Sequence, residues 1–160
     1  MYIKSKRRVI MEIKVENLNE QLAAVIPATT TQQELGIKLG QSFGEIMQFL
    51  GQNGQQPVGA PFVAYYNLDP SNLQVEFGFP IAAELSESGD VKIKKVPGGK
   101  IVTAIHKGSY AKLGETYQVL TEYMKQEKIE PAMLAYEYYL NNVAEVPEDE
   151  LLTKIVFYTK

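Results

Sequence analysis

The chain has 160 residues, a formal net charge of −3, 45% hydrophobic residues and 22% charged ones, enough for one packed domain or two small fused halves. The acidic balance argues against the basic face that phosphate backbones require. The absence of cysteine excludes disulfides, thiolate catalysis and zinc–cysteine centres, and no apolar run nears the roughly 20 residues of a membrane helix, so a cytoplasmic chain without membrane contact is expected.

Residues 1–10 carry a basic patch (Lys4, Lys6, Arg7, Arg8) with no apolar stretch behind it, a poor signal peptide. They read as a loosely held basic tail ahead of a single domain over residues 11–160. "MEIKVENL" alternates as a strand does, and "EQLAAVIPA" is a second strand. "TTTQQELGIKLGQSFGEIMQFLGQNG" opens with threonines that can cap a helix, and Leu35, Leu39, Phe43, Ile46, Met47 and Leu50 recur at helical spacing. Gly36, Gly40 and Gly44 lie inside it. Each costs about 1 kcal/mol against alanine, so close packing is expected to compensate.

"GAPFVAYYNL" and "LQVEFGFPIA" are strands around the turn "DPSN", and "SESGD" is a polar hinge. "VKIKKV" and "KIVTAIHKG" are strands. "SYAKLGETYQVLTEYMKQEKI" is a helix with an apolar stripe of Leu113, Tyr117, Leu120 and Met124. "PAMLAYEYYLNN" is a strand, "VAEVPEDE" a loop and "LLTKIVFYTK" a last, edge strand.

The order strand, strand, helix, strand, strand occurs twice, giving half-repeats of about 11–83 and 90–160. "QLAAVIPATT" from Gln21 resembles "IVTAIHKGSY" from Ile101, and Pro57, Tyr65 and Asn67 fall on Pro131, Tyr139 and Asn141. Glu137 falls on Val63, so the second half departs from the first at a carboxylate. The predicted fold class is α+β: two tandem β-β-α-β-β-like modules about a pseudo-two-fold, antiparallel sheets with helices on one side, and a ligand cleft between the modules, a common place for a pocket.

Chemistry-bearing residues are few. His106 is the only histidine and reads as a strand-end residue. No metal site or cofactor is expected, and no phosphate-cradling or nucleophile-elbow motif is present. Tyrosine is abundant, ten against six phenylalanines and no tryptophan, and a tyrosine-rich lining suits a partly wet cavity. In a strand, Met133, Ala135, Glu137 and Tyr139 share one face. Glu137 is then either a solvated acid or a buried carboxylate among aromatic rings, and the second needs pairing. A carboxylate with tyrosine faces suits a lipophilic cation, through ion pairing and cation–π contact.

"VPGGKIVTAIHKGSYAKLGETYQVLTEYM", "YEYYLNN", "VPEDELL" and "TKIVFYTK" together resemble the GyrI-like small-molecule-binding domain, the effector-binding domain of multidrug-sensing bacterial transcription activators. Its most specific elements here are H-x-G-x-Y (His106, Gly108, Tyr110) and E-x-Y-L (Glu137, Tyr139, Leu140). The resemblance implies a ligand cleft lined by aromatics with a glutamate near its centre, matched by Glu137, and carries Tyr139 and Tyr110 over as motif residues. Tyr65, from the repeat, and Phe157, from the last strand, are added as ligand-binding candidates. At the family's T-E-I-x-x-P ending, Lys154 replaces an acid and Tyr158 a proline. Only ten residues precede the region of resemblance, so a stand-alone form is expected, not binding nucleic acid by itself.

The expected function is binding of lipophilic, often cationic, aromatic small molecules by tyrosine stacking and Glu137, in a sensor or sequestration role. Two alternatives stand beside it. One is a hydrolase of reactive ligands with Glu137 as general acid or base, and the other is a protein-interaction module whose partner the residues do not name.

Overall fold

The computed structural model describes residues 2–4 and 10–160, and side chains from residue 12 onward. Strands β1 (Tyr2–Lys4), β2 (Ile10–Leu18) and β3 (Gln21–Thr30) lead into helix α1 (Leu35–Gln52). Strands β4 (Phe62–Tyr65), β5 (Leu73–Pro80), β6 (Lys92–Val96) and β7 (Gly99–Lys107) follow. A 3-10 turn at Tyr110–Lys112 precedes helix α2 (Leu113–Gln126), and β8 (Pro131–Tyr139) and β9 (Leu152–Thr159) complete the chain. Among the described residues no helix is long and apolar enough to cross a membrane.

Two compact units divide the chain, and they are not its two sequence halves. A middle unit holds Asn19–Gly98, and a terminal unit joins Met1–Leu18 to Gly99–Lys160. The division follows from strand pairing. β2 lies antiparallel to β7, although β3 is next in the chain. β6 pairs with β3, although β7 follows it at once. Each half thus gives one strand to the other half's sheet. The middle unit orders its strands β6-β3-β5-β4 and the terminal unit β1-β2-β7-β9-β8, all antiparallel.

Each unit covers one sheet face with its helix. In the middle unit Ile46, Phe49 and Leu50 of α1 pack on Ala24, Ile26 and Phe79. In the terminal unit Val119, Leu120, Tyr123 and Met124 of α2 pack on Ile13, Val102, Ala104 and Ile155. The helical periodicity in the sequence is this burial.

The strand registers give the units one plan. Val63 faces Phe77 and Tyr65 faces Val75, as Glu137 faces Ile155 and Tyr139 faces Thr153. Asn67 accepts from the Gln74 amide at 3.0 Å, as Asn141 accepts from the Leu152 amide at 2.8 Å. The sequence match of Gln21 with Ile101, by contrast, is two residues out of register. Ala24 faces Phe79 and Ile26 faces Phe77, as Val102 faces Phe157 and Ala104 faces Ile155, which sets Gln21 against Gly99. An even slip keeps every side chain on its own face, so the apolar pattern does not detect it.

Three further expectations are corrected. Within the basic N-terminal stretch, residues 2–4 form a strand paired to β2, while Lys6, Arg7 and Arg8 lie outside the described residues. β9 is no edge strand, because it pairs with β7 on one side and β8 on the other. The α1 glycines are not packing devices: a Cβ on Gly36, Gly40 or Gly44 would meet nothing within 4 Å. Gly40→Ala and Gly44→Ala are therefore expected to stabilise the protein by about 0.5–1 kcal/mol each, through helix propensity and a less flexible unfolded chain. Thermal unfolding measures it, and an unchanged or lowered midpoint would show that this face is occupied.

Candidate functional site

Glu137 is 5% exposed, so the solvated reading of this acid does not hold. It lies on the helix-covered face of the terminal unit's sheet. Cross-strand partners share a face, and its partner Ile155 is in the core under α2. Ala135 and Tyr139, two residues either side, share that face.

Two phenols hold the carboxylate. Tyr139 donates to Oε1 at 2.8 Å, and Tyr117 of α2 donates to Oε2 at 2.5 Å. Short O–H···O bonds of this kind are charge-assisted and strong, and they supply part of the solvation a buried acid has lost. Further rings extend the group. Tyr110 meets Tyr139 edge-on at 5.7 Å, and Tyr117 meets Phe157 edge-on at 5.5 Å. Burial, and secondly the negative charge of Glu137, push the Tyr110 hydroxyl above the ordinary phenol value.

That shift has a sign. A raised folded-state value makes Tyr110's contribution to stability complete below the unfolded value of 10.0, and it is lost as pH rises through the folded value. Glu137→Gln removes the smaller cause only. Titration of the tyrosines is expected to move Tyr110 part of the way down in this variant. No movement would mean that Glu137 carries no charge beside it.

The H-x-G-x-Y element has a local explanation. His106, 5% exposed, faces Thr153 across the strands and so points to the helix side. Its Nε2 lies 3.0 Å from the Ser109 carbonyl and its Nδ1 2.7 Å from the Thr116 hydroxyl. A carbonyl only accepts, so Nε2 carries the proton and, in the neutral ring, Nδ1 accepts from Thr116. Gly108 has φ +125, a backbone that side-chain-bearing residues rarely adopt, and its amide donates to Leu151 at 2.8 Å. Ser109 then caps the 3-10 turn through the Ala111 amide. His106 thus ties both ends of the segment carrying Tyr110 to the sheet, one residue short of Tyr117.

Of the five ligand-binding candidates, Glu137, Tyr139, Tyr110 and Phe157 come together in the terminal unit. Tyr65 lies in the middle unit, buried in β4. Tyr117, read in the sequence as part of an apolar stripe, is the partner that reading missed. The signal was available in the repeat, because the ring that meets Phe79 in the middle unit is Phe43, at 5.2 Å, and Tyr117 meets Phe157 in the same way. The middle unit has Phe43 and Val63 where the terminal unit has Tyr117 and Glu137.

Two other features carry none of these candidates. An open depression of about 510 Å³ in the middle unit is lined by Pro27, Thr29, Tyr66, Gln74 and Glu76 among others. Beside it Lys94 bridges both Glu76 oxygens at 2.9 and 3.1 Å, and Tyr66 donates to Glu76 at 2.6 Å. Among the described residues, no group of three or more His, Asp or Glu could hold a metal ion.

The model of the GyrI-like small molecule binding domain matches residues 11–158. The chain belongs to the GyrI-like family. The EcmrR C-terminal domain superimposes on this GyrI-like chain with a TM-score of 0.80 at 19% identity, over 94% of this chain and 98% of that one. EcmrR in its DNA complex gives a TM-score of 0.85 at 20% identity and covers 97% of this chain, which spans only 59% of EcmrR. SAV2435 bound to tetraphenylphosphonium gives 0.67 at 13% identity over 94% of each chain. A hydrolase from Listeria innocua gives 0.68 at 9% identity, over 93% of this chain and 92% of that one. No curated protein matches this GyrI-like sequence.

Proposed function

We propose that the chain binds bulky lipophilic cations in its terminal unit, with Glu137 as the fixed negative charge and Tyr139, Tyr110, Tyr117 and Phe157 as the surrounding rings, in a sensor or sequestration role. One observation carries this reading: a carboxylate is held by two phenols on a sheet face where the middle unit has Val63 at the position of Glu137 and Phe43 at that of Tyr117. A buried acid costs more than the valine it replaces unless it does something. Aromatic faces around a negative charge favour a large, weakly hydrated cation through cation–π contact and ion pairing. Support comes from SAV2435, which shares the fold and is bound to such a cation, tetraphenylphosphonium.

Glu137 is buried, so a ligand reaches it only by displacing at least one covering ring. Micromolar affinity is the expected scale, because part of the binding energy goes into that opening. Hydrolysis is less well served, since both carboxylate oxygens already accept phenol hydrogen bonds and a general base must reach the proton it removes.

The test is thermal stabilisation by tetraphenylphosphonium and by neutral tetraphenylmethane-type analogues, in the parent and in Glu137→Gln. A ligand at a hundred times its Kd raises stability by about 2.7 kcal/mol, roughly 5–10 °C in a chain of this size. Cation-selective stabilisation, lost in the variant, is expected. Equal stabilisation of both proteins by the cation would end the electrostatic reading.

A further inference from the structure

The helix-covered face of the terminal unit holds one buried side-chain polar atom that no hydrogen bond among the described residues satisfies. The Thr153 side chain is completely buried, and its Oγ1 has no hydrogen-bond partner among the described residues. Other buried threonines of this unit are satisfied. Thr103 donates to the Ile155 carbonyl at 2.8 Å, and Thr116 bonds His106 at 2.7 Å. A buried hydroxyl left without a partner costs free energy that an apolar group of the same shape would not.

Packing does not require the hydroxyl. Thr153 stands between His106 on β7 and Tyr139 on β8. The matching row of the middle unit is Ala28, Val75 and Tyr65, so the same strand position takes valine. The neighbours in the row do not serve it either. Tyr139 directs its phenol to Glu137, and both His106 nitrogens are engaged by Thr116 and Ser109.

We infer that the Thr153 hydroxyl is a specificity-determining anchor of the Glu137 site, bonding a hydroxyl, ether or carbonyl oxygen carried by the bound cation. The inference rests on the reading of Glu137 given above. Geometry supplies the pairing. Glu137 and Thr153 occupy adjacent rows of one sheet face, and diagonal cross-strand neighbours lie about 7 Å apart, roughly the distance from a charged centre to the far edge of an attached phenyl ring. Energetics supply the size. An ordinary hydrogen bond gains little because both partners leave water, whereas Thr153 has already left it in the unliganded protein. Ligands that place oxygen one ring away from the charge are thus preferred to ligands that place hydrocarbon there.

Calorimetric titration with tetraphenylphosphonium and (4-hydroxyphenyl)triphenylphosphonium tests this in the parent, Thr153→Val, Thr153→Ser and Glu137→Gln. The parent is expected to bind the hydroxylated cation more tightly, by up to about tenfold. Thr153→Val is expected to lose that preference while melting no lower than the parent, and Thr153→Ser to keep it. An unaltered preference in Thr153→Val overturns the proposal. So does equal weakening of both cations together with a lower melting point, which would make the hydroxyl structural. Loss of cation binding in Glu137→Gln, with no preference in the parent, overturns Thr153 and leaves Glu137 standing. No binding of either cation by the parent, or full binding by Glu137→Gln, removes the Glu137 reading and the Thr153 anchor with it.

Discussion

A chain that starts at Asn19 is expected to lose the cooperative fold of its terminal unit, whereas one that starts at Ile10 keeps it. The shorter chain lacks β2, which supplies the register pairs from Ile13–Ala104 to Leu18–Gly99 and places Ile13, 1% exposed, in the core beneath α2. Losing a buried isoleucine costs about 2–5 kcal/mol by itself. The β7 backbone groups that faced β2 lose their partners as well. Against a typical total of about 5–15 kcal/mol, little remains. Hydrogen exchange separates the units: protection is expected to vanish from β7 and α2 before it does from β3 and β5. A single transition within a few degrees of the parent would show that the exchanged strand is dispensable. The same pairing predicts that residues 90–160 do not fold alone, although the sequence marks them as a half-repeat. They carry β6 away from β3 and leave β2 behind.

Local pattern made nearly every element legible, because each strand and helix has one buried face and one period. "VKIKKV" and "KIVTAIHKG" carry the pattern of the strands they form, yet nothing in either shows that the first pairs with β3 and the second with β2. Pairing is a non-local choice, and alternation is satisfied equally by several partners. The glycines of α1 misled for a related reason: composition shows what a glycine permits, and only surroundings show whether anything uses it. At the candidate site, Glu137 was visible as a break in the repeat. Its burial was not, since an acid in an alternating strand fits a solvated face as well. Tyr117 was hidden by its period, which puts it in the apolar stripe with Leu113 and Leu120 and says nothing of where its hydroxyl points. The one textual sign was phenylalanine at the matching place of the first half. Thr153 was hidden more deeply, because a threonine in a strand is ordinary and only its unsatisfied hydroxyl distinguishes it from Val75.

Tyr117→Phe is expected to destabilise the protein by about 1.5–3 kcal/mol, the cost of withdrawing a charge-assisted donor from a buried carboxylate. That corresponds to roughly 3–12 °C in the unfolding midpoint for a chain of this length. The double variant Tyr117→Phe/Glu137→Val is expected to recover much of the loss. It gives the terminal unit the pair that the middle unit already packs, Phe43 beside Phe79 and Val63 beside Phe77. Replacing a buried polar group together with its partner by hydrocarbon is often neutral or stabilising, whereas removing one partner alone is not. The two substitutions should therefore be strongly non-additive, with a coupling of about 1 kcal/mol or more in a double-mutant cycle. Additive losses would mean that the 2.5 Å contact contributes nothing in solution. Cation binding should follow the opposite course, absent from the double variant despite its recovered stability. A variant that folds better and binds nothing would identify Glu137 and Tyr117 as residues retained for the ligand at the expense of the fold.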